Sequence, residues 1–169
     1  VGSLEIRKLA DNLTYDRPVT WSPSGRHVLY WKHSDVGWDV WRVDLTGNSR
    51  NLTNTRSGGC RMPRYSPDGT RIAFMRDRPN GLHVMSASGD KQTQLTKRGH
   101  RDAPPSWSPD GKWIAYGYFD RTEDGKRLGR TAVITHAGSS HRVLPIDLHA
   151  FGDASFSPVD SRLAVRGTT

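Results

Sequence analysis

The sequence predicts an all-β protein, a β-propeller built from four-stranded antiparallel blades. Four segments align on an aromatic residue followed by a Ser-Pro turn, and these aromatic anchors are Trp21, Tyr65, Trp107 and Phe156. The anchors are 44, 42 and 49 residues apart, which is the period of a propeller blade. No stretch shows sustained 3.6-residue periodicity, so we expect no helices.

The turn after each anchor has a physical rationale. Its proline presets one torsion angle, an aspartate caps the local backbone, and the glycines Gly25, Gly69 and Gly111 accept a positive φ. In the fourth copy Asp160 replaces the glycine. Because aspartate tolerates the left-handed region better than most residues, we expect this turn to survive with some strain.

Further strands follow each turn at a constant spacing. The second strands contain the apolar triplets Val28–Tyr30, Ile72–Phe74, Ile114–Tyr116 and Leu163–Val165. Third strands are predicted at Val40–Val43, Leu82–Met85 and Thr131–Ile134, and fourth strands around Leu52, Leu95 and Val143. Short segments rich in β-branched and aromatic residues and bounded by Gly, Pro, Asn and Asp are typical of strands.

These spacings divide the chain into blades. Residues 1–14 are predicted to hold the last strand of a preceding blade, 15–58, 59–100 and 101–149 three full blades, and 150–169 the first two strands of a further blade. This gives fifteen strands, whereas a closed ring of four blades needs sixteen. We therefore expect the rest of a longer propeller, or another copy of the chain, to complete the ring, because open blade faces invite association.

Composition narrows the classes of partner. The net charge is +8 and the pI about 10.1, but the arginines are scattered, which favours a solvated basic surface. No module combining basic and aromatic residues for RNA is present, so nucleic acid is not the expected partner. The single cysteine, Cys60, excludes an internal disulfide and a cysteine-based zinc site. No apolar run suits a membrane span, and we expect any export signal to lie upstream of Val1 or to have been removed.

Motifs for catalysis are missing from the sequence. The segment Gly47–Asn51 fails the Gly-x-Ser-x-Gly pattern at its last position, and neither a Walker-type phosphate loop nor His-Glu-x-x-His occurs. The segment Asp120–Gly125 departs from the alternating aspartates of a calcium loop and has cationic neighbours, which indicates a solvated hairpin tip. We predict no catalytic residue and no cofactor.

Seven histidines are the remaining candidates for a metal site. His27 follows a turn, His83 falls in a predicted third strand and His141 begins a fourth. Because these positions lie at different depths of a blade, the histidines are not expected to converge, and we predict no metal site.

The residues that precede each first strand are the candidates for binding. In a propeller the loop that enters a first strand opens beside the central channel, and rigidly held loops commonly bind partners. The candidate residues are Asp16, Arg17, Arg61, Arg64, His100, Arg101 and Asp102. Their side chains could bind the carboxylates of a partner or a peptide. The alternative is that they pair with each other between blades. The aromatic anchors are expected to pack between blades, with ligand stacking as the alternative.

The repeat resembles that of the TolB-type propeller family. The resemblance is carried by Pro104, Trp107–Gly111 and Ile114–Tyr116, by the loop and third strand Ser34–Trp41, and by Gln94–Thr96. Tyr65 and Phe156 depart from the usual tryptophan. The resemblance implies a non-catalytic scaffold that binds a protein or peptide in the periplasm or another extracytoplasmic space. Two alternatives are the gating propeller of a prolyl-oligopeptidase-like serine hydrolase and a propeller enzyme that acts on oligosaccharides.

Overall fold

The fold is a series of antiparallel β-sheets, as the sequence predicts. The computed structural model describes residues 8–9, 19–56, 58–99, 103–145 and 153–166. Sheet 1 comprises β1 (Thr20–Trp21), β2 (His27–Ser34), β3 (Gly37–Asp44) and β4 (Ser49–Asn51). Sheet 2 comprises β5 (Cys60–Tyr65), β6 (Arg71–Asp77), β7 (Asn80–Ser86) and β8 (Thr93–Gln94). Sheet 3 comprises β9 (Ser106–Trp107), β10 (Trp113–Arg121), β11 (Arg127–Thr135) and β12 (His141–Val143), and sheet 4 comprises β13 (Asp153–Phe156) and β14 (Leu163–Arg166).

Within each sheet, every strand pairs with the next strand in sequence, so each sheet is a meander. The first three sheets have four strands, and the described part of the fourth has two. Within the described ranges no helix is long and apolar enough to cross a membrane. The predicted last strand of a preceding blade lies outside the described residues except for Lys8 and Leu9, and Leu9 packs against sheet 1 beside Val28 and Tyr30.

The Ser-Pro turns join each first strand to the second and stack from one sheet to the next. The amide of Gly69, which has a φ of 71°, donates to the carbonyl of Ser66 at 2.9 Å. A Cβ at Gly69 would lie at an ordinary contact distance of 3.5 Å from the ring of Pro23 in the preceding turn, so it is the positive φ that favours glycine here.

The fourth turn survives, as expected, but without the left-handed residue. The amide of Ser157 donates to the carbonyl of Arg162 at 2.8 Å, the same five-residue span that closes the other three turns. Among the described residues only Asn54, Met62 and Lys91 are non-glycine residues with a positive φ, so Asp160 does not adopt the left-handed conformation and the expected strain is absent. Its carboxylate accepts the amide of Arg162 at 3.0 Å, which caps the turn.

The core lies between successive sheets. One cluster, between sheets 1 and 2, contains Leu29, Cys60, Ile72 and Phe74, all fully buried. Burial raises the pKa of the Cys60 thiol to about 12, so this cysteine is an unreactive core residue. A second cluster joins sheets 2 and 3 and includes Trp107.

A buried carboxylate fixes the segment that leads from sheet 1 to sheet 2. Asp39, in β3, is 1% exposed, and its Oδ1 accepts the hydroxyl of Thr53 at 2.7 Å. The same oxygen accepts the amide and the hydroxyl of Thr55 at 2.9 and 2.8 Å, and Oδ2 accepts the side-chain amide of Asn51 at 3.1 Å. Burial alone would raise the pKa of Asp39, but these hydrogen bonds together lower it below its ordinary value. Asp39 therefore holds the path of the chain toward β5.

Candidate functional site

The first strands of the four sheets lie side by side and form one surface, which we call the inner wall. It consists of β1, β5, β9 and β13 with the turns that follow them, and β5 contacts both β1 and β9. A cavity of about 750 Å³ opens on this wall and is lined by residues of all four sheets. All four aromatic anchors and all four turn prolines contribute to its lining. The inner-wall cavity is the candidate functional site.

Packing between sheets is confirmed for the anchor Trp107. It is 8% exposed, and its indole N–H donates to the carbonyl of Arg64 in the neighbouring sheet at 3.1 Å. Beside it the amide of Phe156 donates to the hydroxyl of Ser106 at 2.9 Å, which joins sheet 4 to sheet 3. These two anchors therefore hold the wall together.

The anchor Trp21 behaves differently. Its side chain is 55% exposed at the inner-wall cavity. The blade that would precede sheet 1 lies outside the described residues except for Lys8 and Leu9, so the packing of this anchor between blades stays a prediction. Tyr65 is half-buried in the same cavity, and burial raises the pKa of its phenol, which therefore stays neutral at physiological pH. An indole face open to a cavity among prolines is suited to stacking on a ligand.

Arg61 and Arg64 lie in β5 itself, not in the loop that precedes it as predicted. The pairing of β5 with β6 shifts between them, so that Arg61 is opposite Met75 and Arg64 is opposite Ala73. Because Met75 and Ala73 are two residues apart, this β-bulge places both arginines on the same face of the sheet, which a regular strand would not do. The bulge lies at Met62 and Pro63, and Met62 has a φ of 53°.

Arg61 is engaged within the protein. Its Nη2 lies 3.1 Å from Oδ2 of Asp77, and its guanidinium lies 5.3 Å from the centre of the Trp38 ring in sheet 1. The two side chains of the ion pair are 14% and 24% exposed, so the pair is largely shielded from solvent. Asp77 lies in β6 of the same sheet and is not one of the candidate residues, so this ion pair is not the predicted pairing of candidates between blades.

Arg64 has no such partner among the described residues. It lines the inner-wall cavity, it is half-buried, and its Nη1 donates to the carbonyl of Pro63 at 3.0 Å. Among the described residues no carboxylate lies within 4.0 Å of its guanidinium. Burial lowers the pKa of Arg64, but an arginine remains charged at physiological pH. A partly desolvated cation with no carboxylate beside it in the described part of the chain is suited to binding an anionic group.

The other predicted site residues cannot be placed on this wall. Asp16, Arg17, His100, Arg101 and Asp102 all lie outside the described residues. In the part of the chain that is described, no three His, Cys, Asp or Glu side chains come together in a way that could hold a metal ion. The inner-wall cavity therefore offers aromatic faces, prolines and a guanidinium.

The sequence pattern placed Arg64 beside the channel, but the fact that its position is uncharged in the other three repeats was missed. The residues directly before the four anchors are Thr20, Arg64, Ser106 and Ser155, and all four line the cavity. Only one of these four equivalent positions carries a charge, and comparing the repeats there would have revealed it. Pro63 lies in the segment predicted as a loop, and in the structure this proline falls at the bulge, a position that proline tolerates within a strand.

Comparisons with known proteins agree with this architecture. A family model described as TolB beta propeller domain matches residues 14–165. The uncharacterized peptidase YuxL of Bacillus subtilis (strain 168) is 42% identical over 119 residues, covering 62% of this chain and 18% of the relative. The Tol-Pal system protein TolB of Anaeromyxobacter dehalogenans (strain 2CP-C) is 38% identical over 92 residues, covering 52% of this chain and 20% of the relative.

A solved structure shows the same fold. The crystal structure of TolB from Acinetobacter baumannii matches with a TM-score of 0.66 and 18% identity, covering 88% of this chain and 37% of that chain. This chain thus spans about a fifth of the length of the two curated relatives and just over a third of the solved protein.

Proposed function

The chain belongs to the TolB beta-propeller family, and on that premise we propose that it is a non-catalytic module that binds a peptide or a protein segment at its inner wall. The observation that carries the proposal is the half-buried Arg64 without a carboxylate partner among the described residues, in a cavity of about 750 Å³. A guanidinium in such a place pairs with a carboxylate in a bidentate geometry.

The ligand chemistry follows from the lining of the inner-wall cavity. The carboxylate that meets Arg64 belongs to a chain terminus or to an acidic side chain. The exposed indole of Trp21 and the neighbouring prolines suit an apolar or aromatic side chain of the same segment. The ligand is therefore a peptide segment that carries a carboxylate close to an apolar group.

A pair of peptides tests this function. Both have the same proline- and aromatic-containing sequence, and one ends in a free carboxylate whereas the other ends in a carboxamide. Fluorescence anisotropy should give a dissociation constant that is roughly tenfold lower for the free acid, which is the contribution expected from one charge-assisted hydrogen bond. In Arg64→Gln this preference should disappear.

The matched control is Arg50→Gln, which removes an exposed arginine from the outer strand β4. It should leave the preference for the free acid unchanged. Equal binding of the two peptides by the unmodified chain would refute a terminal carboxylate as the group that meets Arg64, and an equal loss in Arg50→Gln would refute the proposal.

A second candidate function is the gating propeller of a prolyl-oligopeptidase-like serine hydrolase. It is favoured by the 42% identity to the uncharacterized peptidase YuxL. In that case the inner wall would contact peptides on their way to a catalytic domain elsewhere. The observation that separates the two candidates is whether the parent gene also encodes a Gly-x-Ser-x-Gly segment.

The compartment and the assembly are part of the proposal. We place the protein in the periplasm or another extracytoplasmic space, by its family, and fractionation of cells that express the full gene tests this. The propeller is completed by the rest of a longer chain or by another copy. A monomeric mass of the 169-residue chain in sedimentation equilibrium would rule out the second copy.

A further inference from the structure

A second cavity lies between sheets 2 and 3, apart from the inner wall. It has a volume of about 430 Å³ and shares no lining residue with the inner-wall cavity. Its lining comes from the starts of β6 and β8, the end of β7, and the turn that follows β11. The charged or titratable side chains in this lining are Arg71, Lys91 and His136. We call it the turn-side cavity.

The two cations of the turn-side cavity are weakly neutralised. No carboxylate among the described residues lies within 4.0 Å of the Lys91 ammonium. Arg71 reaches Asp68 only at 3.9 Å, with the two side chains 42% and 56% exposed. Contacts of that length between exposed groups contribute little, so Arg71 keeps donors available. The lining itself contains no acidic residue, and Asp68 and Asp90, the neighbours of Arg71 and Lys91, lie outside it.

His136 adds a third donor. Its backbone amide donates to the carbonyl of Lys112 at 3.1 Å, which fixes the position of the turn. Its Nδ1 is shut off from solvent, so Nε2 is the ring nitrogen that can present a donor to the turn-side cavity. With two cations and no carboxylate in the lining, the complementary ligand is an anion.

We propose that the turn-side cavity binds a phosphate group. Its lining can present donors of three kinds, which are a guanidinium fork from Arg71, an ammonium from Lys91 and a ring N–H from His136. Donors arriving from three elements suit a tetrahedral oxyanion better than a flat carboxylate, which one guanidinium satisfies. The volume accommodates an ester substituent as well as the free ion.

The experiment is a titration of the 169-residue chain with inorganic phosphate, followed by the amide and imidazole resonances in NMR spectra. Glycerol phosphate is titrated in parallel, and sodium chloride at equal ionic strength and pH is the reference. We expect saturable shifts around Lys91 and His136, with dissociation constants in roughly the millimolar range. Tighter binding of glycerol phosphate would identify a phosphomonoester as the ligand, and tighter binding of inorganic phosphate would identify the free ion. Both results support the site.

Two variants test the residues. Lys91→Asn removes the charge and suits the φ of 54° at this position, because asparagine tolerates the left-handed region. His136→Gln removes the imidazole and keeps a polar side chain. Each should weaken phosphate binding roughly tenfold, as expected for the loss of one charge-assisted hydrogen bond. Lys97→Gln, an exposed lysine outside the turn-side cavity, should not.

Several outcomes would overturn the proposal. One is that chloride produces the same shifts as phosphate, since any anion would then suffice. Another is that both variants, folded by circular dichroism, bind phosphate as the unmodified chain does. If Lys91→Asn does not fold, His136→Gln decides alone. None of these results depends on peptide binding at Arg64.

Discussion

Replacing Asp39 by asparagine should destabilise the protein by about 2–4 kcal/mol. The carboxylate accepts four hydrogen bonds, and an asparagine amide placed where Oδ2 stands would face the amide of Asn51, donor against donor. That bond is lost at a cost of about 1.5–3 kcal/mol, and the three bonds from Thr53 and Thr55 become neutral, each weaker by about 1 kcal/mol. Removing a buried charge recovers part of this loss.

Urea unfolding at neutral pH measures the change in the free energy of unfolding. The control is Asp35→Asn, an exposed aspartate in the turn between β2 and β3, which should change stability by less than about 0.5 kcal/mol. If Asp39→Asn changes stability no more than this control does, the hydrogen bonds do not outweigh the cost of burying the charge.

The stabilisation of the fold by Asp39 should depend on pH. The lowered pKa of this carboxyl determines whether the stabilisation increases or decreases as the pH falls. A carboxyl whose pKa is lower in the folded than in the unfolded protein stabilises the fold above its unfolded pKa, which is about 4. That contribution is lost as the pH falls through the folded pKa. The stability difference between the unmodified chain and Asp39→Asn should therefore be full at pH 7 and shrink below pH 4. A difference that grows on acidification would contradict the assignment.

Contacts between and within the sheets give two further predictions. Trp107→Phe should cost about 1–2 kcal/mol, because the carbonyl of Arg64 loses its indole donor, and a thermal melt that matches the unmodified chain would contradict this. Gly81→Ala should prevent folding or cost several kcal/mol, since a Cβ there would overlap the carbonyl oxygen of Thr96 at a φ of 144°. Gly25→Ala, with a φ of 68° but nothing within 4 Å, should cost only about 1 kcal/mol, and equal melting temperatures for the two variants would refute the steric argument.

The architecture was predictable because it follows from local rules repeated several times. A proline and a glycine at fixed positions define a turn, and apolar residues at a fixed distance from it define the buried strands. The buried triplet Ile72–Phe74 lies in β6 as expected. At Asp160 the turn is closed by the same backbone hydrogen bond as in the other copies, but the carboxylate is satisfied by the amide of Arg162 without a positive φ.

The chemistry of the inner wall was only partly predictable, because it depends on contacts between blades. Arg61 and Arg64 are three residues apart and look equivalent in the sequence. One meets Asp77 and Trp38, which come from two different sheets, and the other has no carboxylate within 4.0 Å among the described residues. Neither the bulge that turns both to one face nor the distance to Asp77 can be derived from spacing alone.

Comparing the blades with one another separates residues that serve stacking from residues that serve binding. Equivalent positions occupy the same place in each sheet. A side chain that is present in one blade and absent from the others is therefore not needed for the blades to stack. Thr20 and Ser106 take the place of Arg64 in their own blades and line the same cavity. Leu45 takes the place of the turn-side His136. A half-buried guanidinium and an unpaired ring nitrogen each cost free energy that a hydroxyl or an alkyl side chain would avoid. Each proposed site therefore lies at a position where one repeat carries a residue that costs stability, Arg64 or His136, but that can bind an anionic ligand.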